Sequence, residues 1–271
     1  MAVAGWDVVL PARPVRVPGV RMAGFRDDGS DPVDVRVVPH PAVSMMLEFG
    51  AGPLVLDAVT GRRHRGNIAV GYMHGAVRVR GQRVECVQVR LSPVTAFSVL
   101  GTSPADLNHL VVTLDDLWGR DAARLREQLG EARSWGARFA LTEAAFARRQ
   151  VSGPRVDPEV AWAWAQIARS RGRIRIDALA AELGWSRRRL WSRFCAQMGL
   201  PPKRAAKLVR FDHAVHRLAA GEDAAGVAAG SGYVDQSHLH RDVQEIGGLT
   251  PAGIAAETWL AVDARAWPAQ R

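Results

Sequence analysis

Two stretches of this chain repeat one another at a spacing of 48 to 49 residues, and no other feature constrains the fold as tightly. The first runs Leu179-Ala-Ala-Glu-Leu-Gly184-Trp185-Ser186-Arg-Arg-Arg-Leu190-Trp-Ser-Arg-Phe194 and closes on Gly199-Leu-Pro-Pro202. The second runs Val227-Ala-Ala-Gly-Ser-Gly232-Tyr233-Val-Asp235-Gln-Ser-His-Leu239-His-Arg-Asp-Val243 and closes on Gly248-Leu-Thr-Pro251. Each has a short Ala-rich helix, a glycine turn followed by an aromatic, a Ser or Asp able to cap, and a second helix. That is the layout of a helix-turn-helix. Gly184 and Gly232 stand at the sharp turn, where a positive φ costs glycine nothing.

Spacing assigns the faces of the second helices. Leu190, Phe194 and Met198 recur at i, i+4 and i+8 and anchor the first, leaving Arg188, Trp191, Ser192 and Cys195 outward with Arg187 and Arg189 beside them. Leu239, Val243 and Ile246 anchor the second, and Gln236, Ser237, His240, Arg241 and Gln244 face out. Arg reads guanine and Gln reads adenine in a major groove, and Ser and His also hydrogen-bond base edges, so both faces suit DNA. One polar face alone is as well explained by solvation; two in one repeat are not. Trp191 would pack on a thymine methyl or cover its own neighbours.

Charge concentrates in the same region. The 271 residues carry 36 basic and 27 acidic side chains, a formal +9. Between Arg169 and Arg210 there are 12 basic residues against Asp177 and Glu182, which is +10 in that segment alone. Such a field selects a polyanion. A membrane surface would need a broad apolar face beside the charge, and none is present. Between the two units, Leu208, Phe211, Val215 and Leu218 form one helical stripe, with Arg204, Lys207 and Arg210 projecting elsewhere. About 18 helical residues would span about 27 Å, enough to set two reading helices in successive major grooves roughly 34 Å apart. Arg187, Arg189, Arg204, Lys207 and Arg210 are the expected phosphate contacts, and Lys207→Ala is expected to weaken binding to every sequence alike.

Residues 157–257, with LAAELGWSRRRLWSRF, GLPPKRAAKLVRFDHA and GYVDQSHLHRDVQEIGGLTP in order, resemble the tandem helix-turn-helix domain of the AraC/XylS family of bacterial transcription regulators. The resemblance implies base-reading roles for Arg188, Trp191 and Ser192 in the first unit and for Gln236, Ser237, His240 and Arg241 in the second. Val243 departs from the family's usual Phe, Trp185 from a smaller residue, and Ala252-Gly253 from a Tyr-Arg pair.

Residues 1–150 read differently. Val33 to Val37, Ala76 to Arg80 and Val84 to Leu91 alternate with a period of two, with Val43 to Phe49 and Leu54 to Val59 as further strands and Gly61 and Gly81 at turns. Helical patterns follow from about Pro93, where Leu125, Leu129, Leu141 and Phe146 would form a dimer surface or cover the sheet. Val151 to Arg155 reads as a linker, and Asp157-Pro158-Glu159 as a helix start capped by Asp157, with Val160, Trp164 and Ile167 buried. The expected fold is α+β: a β-rich barrel or sandwich with trailing helices over 1–150, then an all-α domain over 157–257. Val89 to Gly101 and Leu114 to Asp121 resemble a group within the same family whose N-terminal domain is sensory, which implies effector binding or dimerisation.

No cofactor is expected. His40, His64, His74 and His109 lack ligand spacing, and two cysteines make neither a disulfide framework nor a zinc site. Cys86, in an alternating run, reads as core. Glu48 is a candidate pocket carboxylate or a surface residue, and Trp6, Phe25, Phe49 and Tyr72 would line a pocket or fill a core. The opening residues read as no signal peptide, and no run is long enough for a bilayer. The sequence therefore describes a cytoplasmic, non-enzymatic transcription regulator. Its expected partners are promoter DNA, an unidentified small-molecule effector and, as candidates, RNA polymerase and a second copy of the chain. The alternatives are a cupin-like enzyme with a DNA-binding tail, a suicidal alkyl-transfer regulator, and an architectural binder without a sensor.

Overall fold

The computed structural model describes residues 5–27, 29, 32–52, 54–57, 63–73, 75–102 and 111–268. His74, His109, Val59 and Gly61 lie outside them.

The first part contains strands β1 (Trp6–Val9), β2 (Val20–Asp27), β3 (Val33–Val37), β4 (Val43–Glu48), β5 (Leu54–Asp57), β6 (Arg63–Arg65), β7 (Ile68–Val70), β8 (Val77–Gly81) and β9 (Glu85–Leu91). Helix α1 (Pro93–Leu100), strand β10 (Val111–Thr113) and helices α2 (Leu114–Trp118), α3 (Arg120–Glu131) and α4 (Trp135–Ser152) follow. The strands pair antiparallel into a six-stranded sheet, order β1-β2-β9-β4-β7-β10, and a four-stranded sheet, order β3-β8-β5-β6.

Alternation along β9 shows how the sheets are used. Val87, Val89 and Leu91 join the core shared with the helices, whereas Cys86 belongs to a second core that holds residues of both sheets. Period two sends successive side chains to opposite faces, so one strand serves two cores. Leu125, Leu129 and Phe146 are buried in the first core, so these helical positions cover the sheet.

The second part is helical: α5 (Pro158–Arg169), α6 (Ile176–Glu182), α7 (Arg187–Met198), α8 (Pro202–Ala219), α9 (Ala224–Ser231), α10 (Gln236–Gly247), α11 (Pro251–Ala255) and α12 (Thr258–Ala266). Within α5 the buried positions are Val160, Ala163 and Ile167, and Trp164 is only half-buried. Asp157 does not cap α5 with its side chain. Its carboxylate instead accepts Arg193 Nε at 2.8 Å and a terminal nitrogen at 2.5 Å. Two charge-assisted bonds outweigh one bond to a backbone amide, and Pro158 already removes a free N–H from that helix end.

The segment between α4 and α5 is held to the sheet domain. Ser98 Oγ donates to Pro154 O at 2.7 Å, and a Cβ on Gly153 would stand 1.9 Å from Ser98 O, an approach only glycine allows.

The helical pattern does not stop at 257. Helix α12 turns back to pack on β1, β3 and α8, and its Trp259, Val262 and Ala266 enter the core between the sheets. Around it Arg36 pairs with Glu257 at 3.4 Å, Arg21 donates to Pro268 O at 2.9 Å, and Arg90 lies 4.6 Å over the Trp267 ring. Among the described residues no helix is long and apolar enough to cross a membrane.

Candidate nucleic-acid interface

The two repeated units are α6–α7 and α9–α10, joined by α8. Each turn is made as the spacing requires: Gly184 has φ 62° and Gly232 φ 79°. Each reading helix is capped from the residue before it, Ser186 Oγ accepting Arg189 N at 3.2 Å and Asp235 Oδ1 accepting His238 N at 2.6 Å. Leu190, Phe194 and Met198 are fully buried on α7, as are Leu239 and Val243 on α10 with Ile246 close behind. The anchors therefore point the remaining faces outward.

On α7 the exposed residues are Arg187, Arg188, Arg189, Trp191, Ser192, Arg193 and Ala196. Trp191 is 54% exposed, which is unusual for the largest apolar side chain. Arg187 pairs loosely with Asp177 at 3.4 Å, and Arg189 stacks 4.5 Å over Trp185. Trp185 thus gives Arg189 a platform. Cys195 is only half-exposed, and burial pushes its thiol up.

On α10 Gln236, Ser237, His240, Arg241 and Gln244 are exposed. Arg241 Nε donates to Ser237 O at 3.3 Å, one turn back along the same face. Among the described residues, Arg188, Arg204 and Arg241 make no ion pair with a carboxylate, so their charge is free for another anion.

Two of the expected phosphate contacts are paired with carboxylates of the chain itself. Lys207 Nζ lies 3.1 Å from Asp242 and 2.7 Å from Glu245, and an Arg210 nitrogen lies 3.2 Å from Asp242. Asp242 is buried on the core side of α10, so it needs compensating charge and draws both cations inward from α8. Arg210 also sits 4.7 Å over Tyr233, whose ring meets His238 edge-on at 5.2 Å. Lys207 and Arg210 thus bridge α8 to α10. Asp242 was not among the sequence candidates, although its place between Leu239 and Val243 puts it on the anchored face. Gln197 has a matching task in the first unit: its buried side chain accepts Asp157 N at 2.8 Å.

In the sheet domain, Trp6 and Phe25 line a cavity between the sheets together with His40, while Phe49 packs 5.5 Å from Trp135 on the opposite face. Tyr72 is buried in the core shared with the helices. Glu48 turns to the backbone, accepting Leu54 N at 2.9 Å, and burial lifts its carboxyl to about 7. Cys86 is fully buried and its thiol pushed far up by that burial. Among the described residues no group of His, Cys, Asp and Glu is clustered as metal ligands would be.

Residues 179–256 match a family model described as a helix-turn-helix domain. Among solved structures the chain is similar to ToxT from Vibrio cholerae O395, at 11% identity over 88% of this chain and 97% of that one, with a TM-score of 0.45. It is also similar to the C-terminal domain of AraT, a response regulator from Geobacillus stearothermophilus, at 19% identity over 38% and 87%, TM-score 0.36. A third, the AraC-like transcriptional activator CuxR, is 18% identical over 70% and 80%, TM-score 0.27. No curated protein matches the chain.

Proposed function

The C-terminal part of the chain is an AraC-type helix-turn-helix domain, that of a DNA-binding regulator, and from this premise we propose a sequence-specific, ligand-responsive transcription factor that reads two successive major grooves. The observation that carries the reading is the pair of exposed helix faces, Arg188, Trp191 and Ser192 on α7 and Gln236, Ser237, His240 and Arg241 on α10, held by one rigid helix. Helix α8 has 18 residues, hence about 27 Å, and it is buried along Leu208, Phe211, Val215 and Leu218.

In this mechanism Arg187, Arg189 and Arg204 hold phosphates and set the register on the duplex, while the two faces select bases. Lys207 and Arg210 act one step back by holding α10 in place. The two faces differ chemically, cationic with an indole on α7 and mostly neutral on α10, so the bound site is asymmetric. The partner is promoter DNA, and the sheet domain receives the signal. Against an alkyl-transfer regulator stand the two thiols, both of which burial holds in the protonated form.

Selection from a randomised DNA pool with the full chain, followed by footprinting, tests the reading. Two boxes with centres about one helical turn apart are expected. No enriched sequence, with affinity falling steeply in salt, would make the protein an architectural binder.

A further inference from the structure

The space between the two sheets is nearly filled by the chain itself. A cavity of about 40 Å³ remains there, enough for about one water molecule, and Trp259 of α12 forms one of its walls. The Trp259 indole lies stacked on Phe25 with ring centroids 5.7 Å apart and meets Trp6 edge-on at 6.1 Å, while Trp6 and Phe25 meet edge-on at 5.9 Å. Three aromatic rings from β1, β2 and the C-terminal helix thus make a cage in which the helix supplies the guest.

The cavity has one polar end. Ser44 Oγ lies 3.1 Å from His40 Nε2 and accepts Gln88 Nε2 at 3.3 Å. The other atoms of that end, His40 Nδ1 and Gln88 Oε1, are buried without a hydrogen-bond partner. Such orphaned groups are costly and uncommon in a finished interior. Burial pushes the His40 pKa well below its ordinary value, so this end is neutral. An ionised ligand would find no countercharge among the described residues of the cavity walls.

We propose that this cavity is a binding site for a small, neutral aromatic molecule with one hydroxyl or ring N–H, and that Trp259 is its built-in competitor. The ring takes the place of the Trp259 indole against Phe25, and its O–H or N–H donates to Gln88 Oε1; a hydroxyl oxygen can in addition serve His40 Nδ1. Free space for one water cannot admit such a molecule while Trp259 stays, so binding expels α12. The same helix carries Asp263, which accepts from Arg90 of β9 and lies 3.0 Å from His216 of α8. Expelling Trp259 therefore releases the tie between the sheet domain and the helix joining the two units. This assignment of signal to site rests on the ligand-responsive reading above; occupancy itself does not depend on DNA.

Full-length wild type, Trp259→Ala and Trp118→Ala are titrated with indole by calorimetry, and hydrogen exchange of residues 258–267 is followed with and without indole. Trp259→Ala should bind indole at least about tenfold more tightly than wild type, because the competitor is gone. Adding Gln88→Leu should remove about tenfold of that affinity, and indole-3-acetate, which is charged, should bind at least about tenfold more weakly than indole. In wild type, indole should speed exchange in 258–267 and leave α10 unchanged. Equal gains in Trp259→Ala and Trp118→Ala would show an ordinary deletion cavity and overturn the site. Indole binding to wild type with no change at 258–267 would overturn the competition, and that measurement decides the matter even if Trp259→Ala does not fold. A chain that passes these tests but selects no DNA sequence would sink the regulator reading alone.

Discussion

His216, on the helix that joins the two units, lies 3.0 Å from Asp263 on the C-terminal helix, and Arg90 reaches the same carboxylate from the six-stranded sheet. Asp263 is almost wholly buried, so it is stable as an anion only because both cations face it. Burial alone would raise Asp263, but Arg90 and His216 hold it well below the usual carboxylate range. Burial alone would lower His216, yet the bond to Asp263 and the nearby Asp212 lift it to about 9.

A pH dependence follows from that histidine. Its folded pKa lies above the ordinary 6.5, so its contribution is complete below about 6.5 and is lost as pH rises through about 9. Urea unfolding should show wild type losing about 2 kcal/mol more than His216→Gln between pH 6.5 and roughly 9.5. Equal losses in the two proteins would mean that the imidazole is not charged in the folded state.

Glu48 should act in the same direction but over a lower pH range. Its folded carboxyl titrates at about 7 against an ordinary 4.5, so the folded state weakens as pH rises between those values. Glu48→Gln keeps an acceptor for Leu54 N and removes the charge. It should gain about 1 kcal/mol above neutrality, discounted for partial exposure, and nothing near pH 4. A variant that is less stable at every pH would contradict this.

Asp242→Ala should be among the more damaging single changes in the helical domain. It leaves Arg210 without its carboxylate and Lys207 with Glu245 alone, and costs about 3 kcal/mol. Chemical denaturation measures it; a cost below about 1 kcal/mol would show that the cations simply re-solvate.

Arg241→Ala and Arg204→Ala should part company on DNA. The first should relax preference at one base position, costing about 1–3 kcal/mol on the best site only. The second should weaken all sequences alike and lower the salt slope by about one. Competition binding at several salt concentrations distinguishes them, and uniform loss in both would move Arg241 out of the groove.

Trp191→Ala should leave stability within about 0.5 kcal/mol, since the ring is exposed, while specific DNA binding falls. A large loss of stability would mean that the indole covers its neighbours.

Much of the helical domain is legible in the sequence because its determinants are local. The repeat, the glycine turns, the Ser186 and Asp235 caps and the anchors of α7 and α10 are each set by residues within one or two turns of one another. The strands were legible only in part. Alternation locates β3, β8 and β9, but the pairing of β2 with β9, some 60 residues apart, depends on which apolar faces meet.

Charge was the less reliable guide. A count of basic residues cannot say whether a cation faces solvent or a buried carboxylate, and Lys207 and Arg210 face Asp242. The C-terminal helix was invisible for a related reason. Trp259, Leu260, Val262, Asp263 and Ala266 are buried against several elements at once, so they leave no single stripe. By itself, then, the sequence determined the two repeated helix pairs, their glycine turns and the side chains they turn outward, all fixed by near neighbours along the chain. Only the tertiary structure decided which charges stay free, and that the last helix closes the space between the sheets. Both depend on contacts between residues far apart in sequence, where burial makes a carboxylate or an indole find whatever partner the fold brings to it.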